Sequence, residues 1–410
     1  MRPAPSRYLA LRVLHISDLH LLALSDSSPL DLNLRFRESL EEDVRSLVNE
    51  GGEMNAIFIG GDIAASGEVH QFEAAEAWIE LLCGIAGISH RQVYCVPGNH
   101  DIYRPAVDHN GLVRIAENYL RTCPVPDIDA PLGEVLFTEQ GGNPFLERLD
   151  NYGDFAARYD CPVTREHYRW KRKLPDELAG RSVIVVGLNS SLISSNRDGR
   201  TRCCSDEEKV FLGQGQAYLH REDDSVVIAL CHHPPAWLRD GAAVEGLLER
   251  AQLQLFGHEH ELGIESTDSW VRVTAGAVQP PKSQVTASPA FNVIELDING
   301  DELSVLLQAR KWDGKKFAAD TRHEERKPIL LQLQNEPATE PEEPVGVSSG
   351  IRREAMWQLM KRGPDERRMV LARMELVPSD QPLSRTALGE AINLIAKSDR
   401  WDELARNLDQ

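Results

Sequence analysis

Ten aspartate, histidine and asparagine residues stand in short polar clusters, each at the end of an apolar run. Asp18 and His20 close "LRVLHISDLH" (11–20), and Asp62 closes "NAIFIGGD" (55–62). Asn99, His100 and Asp101 close "QVYCVPGNHD" (92–101), His232 and His233 close "SVVIALCHH" (225–233), and His258 and His260 close "LQLFGHEH" (253–260). A carboxylate or imidazole carried into an apolar setting is costly unless something pairs with it. Carboxylate, imidazole and amide oxygen without thiolate describe a site for a borderline divalent metal: Mn, Fe, Co, Ni or Zn. Asp18, His20, Asp62, Asn99, His232, His258 and His260 are too many ligands for one ion. They suit two divalent ions that share a bridging carboxylate.

The runs themselves are continuous rather than alternating, which predicts strands buried on both faces. Between them, "LRFRESLEEDVRSLVNE" (34–50) and "HQFEAAEAWIELLCGI" (70–85) place apolar residues three and four apart, as helices do. Strand–helix alternation predicts an α/β sheet with helices outside. The polar clusters then fall at the C-terminal ends of parallel strands, where open α/β sheets carry their sites. Asp18 and His20 are two apart, so an extended segment points both to one side. Gly60, Gly61, Gly98 and Gly257 supply the tight turns and close approach that such loops need. His15 reads as a hydrogen-bonded core histidine. Late in the chain, "AFNVIELDING" (290–300) and "ELSVLLQAR" (302–310) flank a hairpin signal, "NGD". With "WVRVTAGA" (270–277) this β-rich tail fits a second sheet packed on the first.

Residues 102–180 interrupt the pattern as a cap-like insertion, holding "LVRIAENYLR" (112–121) and the basic-aromatic "REHYRWKRKL" (165–174). The latter reads first as a solvated edge. The loop "SSNRDGRTR" (194–202) offers Arg197, Arg200 and Arg202 towards the site. Around residue 335 the composition turns to Pro, Glu, Ser and Gly, predicting a linker over 335–350 between a domain of residues 1–334 and a helical module of 351–410. The module's amphipathic stretches are 351–362, 364–376, 384–398 (Ser384 as N-cap, with a Leu388, Ile392, Ile395 stripe) and 399–408. So short a helical piece is marginal alone and calls for a partner or self-association.

The net charge is −19, which disfavours nonspecific polyanion binding. No apolar run reaches the roughly 18–20 residues of a membrane helix, and the first residues carry no secretory h-region. Seven scattered cysteines, without CxxC, predict reduced thiols and a cytoplasmic setting, the adjacent Cys203 and Cys204 included.

The clusters, taken together and in order, resemble those of the calcineurin-like metallophosphoesterases. They read D-x-H (Asp18, His20), G-D (Gly61, Asp62), G-N-H-D (Gly98 to Asp101), H-H-P (His232 to Pro234) and G-H-x-H (Gly257, His258, His260), across residues about 10–320. The resemblance implies a sandwich of two mixed β-sheets flanked by helices, to which the small C-terminal helical module read from composition is an addition. It implies that Asp18, His20 and His260 hold one metal, Asn99, His232 and His258 the other, and that Asp62 bridges them. Manganese is the favoured metal. A bridging water acidic enough to act as hydroxide then attacks phosphorus in line. His100 is implied as the catalytic residue that faces the substrate, protonating the leaving oxygen or steadying phosphate charge. Asp101 supports the loop behind the metals, and His233 shapes the site.

The Ser/Thr protein-phosphatase branch carries an aspartate three residues after the G-D aspartate. Here that position is Ala65. "GDIAASGEVHQFEAAEAWIELL", "GLNSSL" and "HHPP" are more similar to the branch of cyclic-nucleotide and glycerophosphodiester phosphodiesterases. The expected function is therefore hydrolysis of a nucleotide-type or other small phosphodiester. A DNA or RNA nuclease, with 102–180 as its cap, is the alternative. A third reading rests on "IAKSDRWDELARNL", which resembles the effector-associated helical adaptors of bacterial conflict-system enzymes, and makes the chain an effector recruited by a partner.

Overall fold

The computed structural model describes residues 10–22, 33–125, 128–137, 145–164, 167–198, 204–219, 225–280 and 288–331, then 359, 362–378, 381, 391, 394–395 and 400–408. The expected linker, residues 351–358, Ser384, Leu388 and Ile392 lie outside these, as do Arg165, Arg200, Arg202 and Cys203.

The apolar runs that lead into the polar clusters become strands buried almost throughout, within a set of twelve strands among the described residues. In chain order these are β1 (Leu11–Ile16), β2 (Ala56–Ile59), β3 (Val93–Cys95), β4 (Trp170–Lys173), β5 (Ser182–Gly187) and β6 (Ser225–Leu230). They continue with β7 (Leu253–Phe256), β8 (Gly263–Ser266), β9 (Val271–Thr274), β10 (Ala290–Asn299), β11 (Glu302–Trp312) and β12 (Phe317–Leu330). They form two mixed six-stranded sheets, ordered β12-β11-β10-β1-β2-β3 and β4-β5-β6-β7-β9-β8. One apolar core runs through both. Helix α1 (Leu34–Gly51) buries Phe36, Leu40, Val44 and Leu47, and α2 (Val69–Ala86) buries Phe72, Ala75, Ile79 and Leu82. Both repeat apolar residues at the spacing that lines one helix face.

The strands behind the site pair in parallel: β1 with β2, β2 with β3, β5 with β6, and β6 with β7. Within each sheet their C-terminal ends therefore lie together. Of the β-rich tail, β9 joins the second sheet as expected, while β10 to β12 take a different place. Strand β10 pairs antiparallel with β1, Leu11 opposite Leu296, so β10 to β12 extend the first sheet. The second sheet is built from β4 to β9. Strand order depends on cross-strand contacts, and the apolar pattern of β10 is the same beside either sheet. The hairpin at Asn299–Glu302 does form, with Gly300 at φ +66°.

The insertion folds as α3 (Arg104–Asp108), α4 (Gly111–Thr122), α5 (Asp129–Phe137), α6 (Asp150–Ala157) and the edge strand β4. Two fully buried arginines fasten it. The Arg121 guanidinium reaches Glu117 at 2.9 Å, pairs with Asp198, and donates to the Ile193 carbonyl at 2.8 Å. Arg148 donates to the Phe145 and Ser194 carbonyls, and its own carbonyl accepts from Tyr103 N at 2.8 Å. Several basic-aromatic residues at 168–173 are spent on the fold. Trp170 Nε1 donates to the Cys95 carbonyl, Arg172 lies over Tyr94 and donates to the Val93 and Tyr159 carbonyls, and Arg169 donates to the Gln216 carbonyl. Lys171 and Lys173 are the exposed ones.

Contacts divide the chain into two units, 1–333 and 334–410. The second has its own small core of Leu359, Val370, Leu371, Met374, Ala391, Ile395, Leu404 and Leu408, with helices at Pro364–Arg373 and Trp401–Leu408. Among the described residues no helix is long and apolar enough to cross a membrane.

Candidate metal centre

The loops after β1, β2, β3, β6 and β7 meet at one edge of the sandwich and bring all ten expected side chains together. Backbone hydrogen bonds zip the loops. Asp18 N donates to the Gly61 carbonyl and His20 N to the Asp62 carbonyl, at 3.0 and 2.9 Å, and Gly257 N donates to the His232 carbonyl at 3.0 Å.

The way the side chains converge differs from the expected pleat. Asp18, His20, Asp62, His258 and His260 all have positive φ, between 43° and 70°. These five are the majority of the eight non-glycine residues with positive φ among the described residues. Aspartate and histidine tolerate this left-handed region better than most residues, but each such residue stores strain of about 1–3 kcal/mol. Asp18 and His20 thus share a site because the chain curls after β1, not because an extended strand alternates. Glycine supplies the clearance. A Cβ on Gly98 would lie 2.2 Å from Asp62 Oδ1, and one on Gly61, at φ +95°, 2.7 Å from His232 Nδ1.

Two clusters of donor atoms result. In the first, His260 Nε2 lies 3.0 Å from Asp18 Oδ1, and a ligand atom of His20 lies within 4.8 Å of ligand atoms of both. In the second, Asn99 Oδ1 lies 3.2 Å from His232 Nε2 and 3.1 Å from His258 Nδ1. Asp62 touches both: it groups with Asp18 and His232, and also with His20 and His100. Its Oδ2 is 3.4 Å from His232 Nε2, while its Oδ1 accepts from His100 N at 2.7 Å.

The donor set fits a divalent cation. His232 Nδ1 is 2.7 Å from the Gly60 carbonyl, which can only accept, so that nitrogen carries the proton. In the neutral ring the Nε2 lone pair then faces the Asn99 carbonyl oxygen, acceptor against acceptor, unless a proton or a cation lies between them. A ring that donates to a backbone carbonyl and offers its other nitrogen is the usual arrangement of a metal-binding histidine. The buried Nε2 atoms of His20 and His258 have no hydrogen-bond partner.

Charge reinforces this. Burial alone would raise the Asp18 carboxyl, yet His260 beside it holds it down at about 2. Asp62 is carried well below the usual range by His232 and His100, against the same burial. Burial keeps the His20 ring neutral down to about 4 despite Asp62, and takes His258 and His233 well below their usual value. His232 goes the other way: burial opposes its charge, but Asp62 lifts it to about 9. The His20 and His258 rings are therefore ready to donate lone pairs at neutral pH, and His232 holds a proton that a cation would displace.

Around these donors, the buried Asp101 clasps two loops, accepting from Ala64 N and Gly98 N at 2.8 Å each. Burial and the neighbouring Asp62 push its carboxyl up to about 8. His233 Nδ1 is 2.8 Å from Ser190 Oγ, and its ring packs 4.3 Å from that of His258. His233 also groups with His232 and His258 as a cluster of ring nitrogens. His100 is half-buried, with its ring 4.6 Å from that of His20. Its Nδ1 is 2.9 Å from the Ala65 carbonyl. The backbone of residue 65 thus supplies an acceptor at the position where the protein-phosphatase branch has a carboxylate.

Sequence reasoning passed over Ser190 and Trp237. The only signals were their proximity to quoted motifs, Ser190 within "GLNSSL" and Trp237 five residues past His232. His15 departs from expectation. It is fully buried, faces Asn292 across the β1–β10 pair, and both its ring nitrogens lack a hydrogen-bond partner, as do both polar side-chain atoms of Asn292. Position on a buried strand was readable, but its partners depended on which strand lay opposite. Arg197 donates to Asn118 Oδ1 at 3.2 Å, on the insertion.

The model of one family, described as calcineurin-like phosphoesterase, matches residues 11–262. No curated protein matches the chain. Among solved structures, Vps29 from Entamoeba histolytica is 11% identical with a TM-score of 0.32, covering 78% of this chain and 99% of its own. GAP50 of Plasmodium is 11% identical with a TM-score of 0.41, covering 79% and 89%. The sulfate thiohydrolase SoxB of Thermus thermophilus is 14% identical with a TM-score of 0.34, covering 80% and 57%.

Proposed function

Because the chain belongs to the calcineurin-like phosphoesterase family, we propose that it is a metal-dependent hydrolase of a phosphodiester, nucleotide-type or another small diester, working with two divalent cations. The observation that carries this reading is the convergence of Asp18, His20 and His260 on one side of Asp62, and of Asn99, His232 and His258 on the other. The first three would hold one cation, the second three the other, and Asp62 would serve both. The chemistry that divalent cations supply in such a place is Lewis acidity towards phosphoryl oxygens and a lowered pKa for water.

The chain's own residues do the rest. Gly60 and Ala65 carbonyls orient His232 and His100 through their Nδ1 atoms. With Nδ1 so engaged, His100 presents Nε2 towards the substrate side, where it donates to the phosphoryl group or to the departing oxygen. A backbone carbonyl steadies an imidazolium less than a carboxylate does, so His100 lacks the carboxylate support expected of the protein-phosphatase branch. Asp101 keeps the Asp62 and Asn99 loops at one spacing through its two backbone contacts. On the insertion, the exposed side of α4 carries Leu112, Ile115 and Tyr119 with Arg114, not the basic row that a duplex cap requires.

The test is metal analysis followed by a substrate panel with Mn²⁺. The panel holds a chromogenic monoester and diester, cyclic nucleotides, a glycerophosphodiester, single- and double-stranded DNA, RNA and a phosphopeptide. About two ions per chain and the fastest turnover on a small diester are expected. No bound metal after Mn²⁺ addition, or turnover confined to phosphopeptide, would overturn the reading.

A further inference from the structure

The wall beside His258 carries a tryptophan that the site has not used. Trp237 ends a short turn, Pro235–Trp237, directly after His232, His233 and Pro234. Its backbone N donates to the Pro234 carbonyl at 2.9 Å. Its indole Nε1 donates to Glu259 Oε1 at 2.9 Å, and its ring forms a T-shaped pair with that of His258, centroids 4.2 Å apart at 86°. The side chain is half-buried. Two prolines, a backbone hydrogen bond and a side-chain hydrogen bond therefore hold the indole in one pose. Part of its surface is exposed, and the ring packs against His258, a donor of the candidate metal centre.

We propose that Trp237 is a specificity residue, a platform on which the planar base of a nucleotide phosphoester stacks while its phosphate is held at the metal centre. This rests on the phosphoesterase reading above and narrows its substrate class to nucleotides. A fixed aromatic face loses little conformational freedom on stacking, so more of the contact appears as affinity. Base-on-aromatic stacking changes affinity by roughly 5- to 150-fold. The Glu259 carboxylate at the indole's edge, in a chain of net charge −19, disfavours a second phosphate there.

The experiment compares the full-length, Mn²⁺-loaded chain and its Trp237→Ala and Trp237→Phe variants on cyclic AMP and on glycerophosphoethanolamine, a diester without a base. The expected result is a fall of about 5- to 150-fold in preference for cyclic AMP in Trp237→Ala, carried by KM and largely recovered in Trp237→Phe. Fluorescence adds a readout independent of turnover. AMP should quench the native chain, ribose 5-phosphate should not, and the AMP effect should vanish in Trp237→Phe. An equal loss on both diesters, or a loss of bound metal in Trp237→Ala, would show that Trp237 only packs against His258 and would sink the proposal. If the native chain hydrolyses neither diester, the metal analysis and the wider substrate panel above decide the phosphoesterase reading, and the AMP titration decides the platform alone. Quenching by a phosphotyrosine peptide but not by AMP would overturn the nucleotide assignment.

Discussion

Replacing Asp101 by asparagine sets two features of the site against each other. Its two carboxylate oxygens each accept one backbone N–H, from Ala64 and from Gly98, at 2.8 Å. Two donors, one per oxygen, favour an ionised carboxylate. Burial and the neighbouring Asp62 push the other way, up to about 8. Asparagine keeps one acceptor and turns an NH₂ towards the other N–H. One charge-assisted bond is lost and a buried donor is left unpaired, a loss of about 2–3 kcal/mol. For a unit of residues 1–333, whose unfolding entropy is about 0.7 kcal/mol/K, that is a fall of roughly 3–4 °C in Tm. The clasp also spaces the Asp62 and Asn99 loops, so metal affinity should drop about 10- to 100-fold. Asp101→Ala, which orphans both donors, should fall further. The assay is thermal unfolding with chelator present, paired with Mn²⁺ titration by calorimetry. If Asp101→Asn stays within about 1 °C and twofold in affinity, the carboxyl was protonated all along. The argument that a two-donor clasp holds these loops would then be wrong.

Asp62→Ala should remove one of two bound ions and nearly all turnover, since its oxygens face both clusters; two ions retained by elemental analysis would refute the shared-ligand assignment. His15 is buried neutral, its ring kept uncharged down to about 3 by burial despite Asp18. The folded value lies below the unfolded one of about 6.5, so its contribution is intact above pH 6.5 and lost as pH falls towards 3. His15→Leu should therefore flatten the pH dependence of urea unfolding over that window by up to about 1.4 kcal/mol per pH unit and be neutral or stabilising at pH 7; an unchanged slope, or strong destabilisation at both ends, would show that its ring nitrogens have partners. A chain ended at residue 333 should keep the melting temperature and turnover of the first unit, whose core excludes the buried residues of 334–410; loss of either means the second unit supports the first. If turnover is kept but a protein partner is no longer captured, residues 334–410 are a docking module.

Much of the site was legible because its chemistry lies in residue types that a strand end does not otherwise need. Asp18, Asp62, Asn99, His232, His258 and His260 each follow a run of buried β residues, and the loop glycines mark where backbones must touch. Local pattern also placed α1, α2 and the hairpin at Gly300. What it left open was everything that depends on which segments become neighbours. Strand β10 lies beside β1 and not in a second sheet, a choice made by packing between segments nearly 280 residues apart. That choice sets Asn292 opposite His15 and leaves both without partners. The left-handed turns at Asp18 and His20, the Ala65 carbonyl behind His100 and the indole beside His258 follow from the same meeting of loops. The amino-acid sequence by itself determined which side chains were available to bind a cation. Only the tertiary structure decided how they face one another, because distances between loops are set by the sheets that carry them.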